Sequence, residues 1–202
     1  MFNVISKKTM YLVRFSKIFI YLCACLSLLS CGRTEMPLPY GFFRVDLPPH
    51  EYKKVNNNYP FDFEMSTSTE LNQHHVKGEE NWVDIRYSKL NASIYCSYMP
   101  VNNNLEKLLE DARRFVYKHS VKADGIGEKL FENPDKSVFG ILYDLKGNTA
   151  SSVQFVLTDS TKHFFRGSLY FENVPNKDSI APMASYIRED ILHLMESFEW
   201  KK

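Results

Sequence analysis

The 202-residue chain reads as an α+β domain, a mainly antiparallel sheet packed by two amphipathic helices. Three observations predict it. Between Trp82 and Glu172 several short runs alternate apolar and polar residues, the period of a sheet with one buried face. Two longer segments carry apolar residues at helical spacing. Most of the links between runs have only turn length, which joins antiparallel neighbours. A hydrophobic content of 44%, with 14% aromatics, supplies one sizeable core and argues against disorder.

The elements follow in order. Lys7, Lys8, Arg14 and Lys17 precede IFIYLCACLSLL, Ile18 to Leu29, an uncharged run too short to span a bilayer comfortably. This is the pattern of a secretory signal sequence, whether the chain starts at Met1 or Met10. The run closes in LLSC, Leu28 to Cys31, which resembles the lipobox of bacterial lipoproteins. That resemblance implies cleavage after Ser30 and a diacylglycerol on the Cys31 sulfur, with no other cofactor. Each buried methylene contributes about 0.8 kcal/mol, so two or three acyl chains anchor a protein where one does not. Residues 1–30 thus read as signal peptide, 31–39 as lipidated tether and 40–202 as one globular domain. Pro37 and Pro39 keep the tether extended, roughly 25 Å at about 3.1 Å per residue.

Strands are predicted at Phe42 to Asp46, Phe61 to Met65, Trp82 to Tyr87 and Ala92 to Tyr98. Leu105, Leu108, Leu109, Ala112, Phe115, Val116 and His119 then share one helical face, opposite Glu106, Lys107, Glu110, Arg113 and Arg114. Further strands fall at Lys129 to Glu132, Val138 to Leu145, Ser152 to Thr158 and Phe164 to Glu172. Pro134 to Lys136 and Lys146 to Asn148 supply turns. A closing helix from about Ala181 carries Tyr186, Ile187, Ile191, Leu194, Met195 and Phe198 on one stripe, with Pro182 in its first turn.

Charge and cysteines exclude several classes. Loss of the four cations before Cys31 takes the formal charge from +1 to −3 and leaves no basic block, so nucleic acid is not an expected partner. With Cys23 and Cys25 removed and Cys31 lipidated, Cys96 stands alone in an apolar strand and reads as a buried structural thiol.

The stretch GNTASSVQFVLTDSTKHFFRG, Gly147 to Gly167, gathers Ser151, Ser152, Asp159, Ser160 and His163. A serine hydrolase using Ser151 or Ser160 with His163 is one reading, but the segment lacks a G-x-S-x-G elbow. Asp159 and Ser160 fit a hairpin turn between two apolar strands. His74, His75, Glu79 and Glu80 offer metal ligands without metal-site spacing, and read as an exposed polar loop with no metal. His119 and His193 read as capping or core residues. DGIGEKL, Asp124 to Leu130, reads as a turn into a strand, and Phe42, Phe43, Phe61, Phe63 and Trp82 mostly as core.

The blocks PYGFFRVDLP, YPFDFE, NWVDIRY and GNTASSVQFVLTDSTKHFFRGSLYFENVPNKDS, followed by a helix before SFEWK, resemble the gliding-motility lipoprotein D family (GldD) of Bacteroidetes. The resemblance spans about Pro39 to Lys201. It implies a periplasm-facing envelope lipoprotein, on the outer membrane in preference to the inner, required for gliding motility and type 9 protein secretion. It implies no catalytic residues, and partners among the other lipoproteins or membrane components of that machinery. The order of elements also resembles the PsbP and Mog1 type of α/β/α sandwich. A partner surface is expected at Phe164, Phe165 and Arg166 and the loop containing Asn176. A small-molecule or lipid carrier, with an enclosed apolar pocket, is the remaining alternative.

Overall fold

The computed structural model describes residues 45–55, 58–74, 76–119, 123–172 and 176–201, with the side chains of residues 119 and 177 left aside. Cys31 and the signal, tether and Phe42 to Arg44 parts of the expectations lie outside these residues. In chain order the strands are β1 (Tyr52–Lys54), β2 (Phe61–Asp62), β3 (Glu64–Ser66), β4 (Glu70–Gln73), β5 (Val83–Tyr87) and β6 (Ala92–Pro100). Helix α1 (Leu105–His119) follows. Then come β7 (Ala123–Asn133), β8 (Val138–Gly147), β9 (Ser151–Thr158), β10 (His163–Phe171), helix α2 (Lys177–Ser197) and β11 (Glu199–Trp200).

Seven strands form the main sheet in the order β4-β5-β6-β10-β9-β8-β7, and every neighbouring pair is antiparallel. The order explains the position of α1. It links β6, third in the sheet, to β7 at the far edge, so it must cross one face over β10 and β9. The chain then returns strand by strand until β10 pairs with β6, from Phe171 opposite Ala92 to His163 opposite Pro100. The hairpin read from Gly147 to Gly167 is therefore present as β9 and β10.

The opposite face carries the principal core. Alternate residues Phe155, Leu157, Phe165, Leu169, Val83, Ile85 and Ile94 meet Ile187, Ile191, Leu194 and Met195 of α2. Phe61, Phe165 and Phe198 form its aromatic centre, with ring centroids 4.8 Å apart for Phe61 and Phe165 and 5.1 Å for Phe165 and Phe198. Offset and tilted rings at such distances contribute beyond their buried area. Gly167 is needed there, because a Cβ at that position would strike the buried Phe155 ring across the strand pair.

Three sequence expectations change. DGIGEKL is strand rather than turn, since β7 begins at Ala123 and pairs with β8 along its length through a register shift near Gly125. The closing helix begins at Lys177, not Ala181, because the Asn176 side chain accepts hydrogen bonds from the backbone of Asp178 and Ser179. Pro182 therefore stands inside the helix rather than in its first turn. The 61–65 run is split into β2, which pairs with β11, and β3, which pairs with β1. These two-stranded additions stay too short for periodicity to reveal.

Candidate functional site

A single helix about 10 Å across covers about two strands spaced roughly 4.8 Å apart, so α1 cannot close its whole face of a seven-stranded sheet. Under and beside it lies a cavity of about 310 Å³. Ala112, Phe115 and Val116 of α1 form its roof. Its floor carries the alternate residues that point away from the main core, Tyr95 and Ser97 on β6, Arg166, Ser168 and Tyr170 on β10, Gln154 and Val156 on β9, and Tyr143 on β8. His74, Trp82 and Asp84 close one side.

Register brings the polar floor together. Arg166 lies opposite Ser97 and Val156, and Ser168 opposite Tyr95 and Gln154. Arg166 Nε donates to Ser97 Oγ at 2.9 Å, and its guanidinium carbon lies 4.7 Å from the centre of the Phe115 ring. Burial draws the Arg166 pKa down, against the charge of Asp111. Ser168 Oγ donates to Gln154 Oε1 at 3.4 Å, while Gln154 Nε2 is buried and has no hydrogen-bond partner among the described residues. At the mouth, Tyr95 and Phe115 remain 48% and 41% exposed. Tyr95 meets Tyr170 edge to face at 5.7 Å.

His74 is more constrained than a free polar loop allows. Its Nε2 lies 3.0 Å from Asp84 Oδ2 and its Nδ1 3.3 Å from Glu79 Oε2. The Asp84 hydrogen bond raises its pKa above the ordinary histidine value, against burial. His75 lies outside the described residues. Among the described residues no group of three or more potential metal ligands converges.

The expected partner residues are distributed differently from the sequence reading. Phe164 and Phe165 are both fully buried, in the α1 and α2 cores respectively, because neighbours on a strand point to opposite faces and here both faces are covered. Neither can meet a partner, which corrects the expectation for both. Arg166 reaches the cavity, and Asn176 is occupied as a helix cap.

The hydrolase residues do not assemble. Ser151 is fully buried opposite Tyr170, roughly 23 Å along the strand from the turn that holds Ser160, at about 3.3 Å per residue. Its Oγ donates to Val153 O. His163 Nδ1 is 2.8 Å from the Tyr98 hydroxyl and its ring stacks on Trp200 at 5.0 Å. Asp159 accepts from the backbone N–H groups of Thr161, Lys162 and His163, which is turn chemistry. Cys96 is buried, and burial pushes its thiol pKa up, so it is unreactive. His193 pairs with Glu64 at 2.7 Å and stacks on Tyr52 at 3.5 Å, so it serves a surface contact rather than the core or a cap.

Sequence reasoning missed Gln154, Ser97, Ser168 and Tyr95. Their signal was the polar half of each alternation, normally assigned to solvent. Only the crossing of α1 turns that half inward.

Comparison with known proteins adds a family. A family model described as gliding motility lipoprotein GldD matches residues 32–200. No curated protein matches the sequence. Among solved structures, the solution structure of cyanobacterial PsbP (CyanoP) from Synechocystis sp. PCC 6803 matches at 10% identity and a TM-score of 0.45, over 78% of this chain and 96% of that one.

Proposed function

Because the chain belongs to the gliding motility lipoprotein GldD family, we propose that it is a lipid-anchored, non-enzymatic envelope protein that binds and stabilises other components of the gliding and type 9 secretion machinery. The family match over residues 32–200 carries this reading. Cys31, immediately before the matched region, is the lipidation site, and the domain faces the periplasm from the outer membrane. Contact rather than turnover fits a hairpin in which Ser151 and His163 make structural hydrogen bonds. Partners are other lipoproteins or membrane components, and of the residues first assigned to contact Arg166, half-buried, and Asn176, exposed, retain a place at an accessible surface.

The experiment is complementation of a deletion strain in the protein's own bacterium. The intact gene restores gliding and secretion, and the triple substitution Ser151→Ala, Ser160→Ala, His163→Ala restores them equally. Cross-linking in living cells attaches envelope components of the machinery. Failure of the triple variant while it is folded and membrane-bound would return the hydrolase reading; absence of any cross-linked machinery component in cells that glide would end the scaffold reading.

A second reading has its own observation. The cavity under α1 supports a small-molecule carrier or sensor, and its chemistry is specific enough to take further.

A further inference from the structure

The cavity contains a guanidinium that is only partly engaged and a buried amide donor with no acceptor among the described residues. Asp111, whose charge favours the Arg166 cation, is hydrogen-bonded to Arg114 at 2.7 Å, and Asp84 in the cavity wall lies 3.0 Å from His74. Arg166 itself has Ser97 as its hydrogen-bond partner through Nε, and among the described residues its two terminal guanidinium nitrogens have no hydrogen-bond partner and can grip a planar acceptor. Gln154 is 5% exposed, and its Nε2 has no acceptor among the described residues. A buried amide donor left unpaired costs about 1–3 kcal/mol, so its persistence calls for an acceptor from outside the chain.

Part of the remaining wall is apolar. Val116, Phe115, Val156 and Tyr143 enclose the volume beside these donors, and about 310 Å³ falls at the small end of the roughly 300–1,000 Å³ typical of ligand sites. We propose that the cavity binds a small organic acid, its carboxylate held by Arg166 and the Gln154 amide and its apolar body lying between α1 and the sheet. Ser168 orients the Gln154 amide, and Phe115 shields the ion pair from water. An incoming anion also offsets the burial that works against the Arg166 charge. Asp84 does not repel it strongly, since His74 lies against that carboxylate. The partly exposed Tyr95 and Phe115 mark the route in.

This inference is independent of the scaffold reading, because binding is measured without a partner. The full chain in lipid nanodiscs is titrated with 4-fluorophenylacetate and, separately, with its neutral amide 4-fluorophenylacetamide, following fluorine NMR line broadening against empty nanodiscs. The acid binds saturably and at least about tenfold more tightly than the amide. Arg166→Gln abolishes that preference, and Gln154→Leu, which keeps the side chain's bulk without its donor, weakens acid binding several-fold. Thermal melts establish that each variant is folded; should Arg166→Gln fail to fold, Gln154→Leu decides alone. Equal binding of acid and amide, no saturable binding of either, or an acid preference untouched by the folded variants would overturn the proposal.

Discussion

Asp159 shows how a residue that looks catalytic can be fully spent on structure. Burial pushes its carboxyl up, but the N–H groups of His163, Lys162 and Thr161, with the Thr161 hydroxyl, outweigh this and leave it at about 2 against an ordinary 3.8. The folded value lies below the unfolded one, so the carboxylate stabilises the fold fully above about pH 4 and that contribution disappears as pH falls through 2. Asp159→Asn should flatten the acid side of the stability profile between those values, read from urea midpoints at each pH; parallel profiles would contradict it. Phe165 makes the complementary point. It touches Phe61, Phe155 and Phe198 in the core, and Phe165→Ala should lower stability by about 3–5 kcal/mol. A lost partner contact without a lowered melting temperature would restore it to the surface.

At the scale of elements, the segment before β1 is fastened to α2 by one buried acid. Asp190 accepts from the Tyr87 hydroxyl at 2.9 Å and the Tyr52 hydroxyl at 3.1 Å, and lies 2.7 Å from His50 Nδ1. Asp190 precedes Ile191 of the apolar stripe of α2 and is buried. Asp190→Ala should destabilise the domain by about 3 kcal/mol, since it strips the acceptor from the buried Tyr87 hydroxyl and the half-buried Tyr52 hydroxyl. Faster amide hydrogen exchange at residues 52–54 and 64–66, ahead of the main sheet, is the measurement that separates local release from general weakening. The α1 helix behaves differently. Its periodicity was plain, but Phe115 on that same apolar face is only partly covered, because one helix cannot roof the sheet.

For the whole molecule, the two faces of the sheet have different work. One is sealed by α2 and the short strands into an aromatic core, and the other is left with a cavity. The outer strand β7 is blunted as an edge by Asp124, Glu128, Lys129 and Glu132, which oppose pairing with another chain. Among the described residues no helix is long and apolar enough to cross a membrane. The proposed attachment through Cys31 has a direct consequence: Cys31→Ser should move the protein from the membrane pellet to the soluble fraction and abolish gliding. Arg166→Gln should leave it in the pellet. Membrane retention of the serine variant would refute the lipid anchor.

The amino-acid pattern alone determined the α+β class, the antiparallel hairpins and the two helix faces, because those depend on periods of two and 3.6 that neighbours in the chain set for themselves. It also carried the family, through long specific blocks such as Gly147 to Ser179. Strands of two to four residues escaped it, since so few residues show no period. Which polar residues face solvent and which face a cavity was settled by tertiary structure, because the path of α1 from β6 to the far edge depends on pairings between strands distant in the chain. Arg166 and Gln154 are already diagonal neighbours in the β9–β10 hairpin, but only the crossing of α1 encloses them in one space.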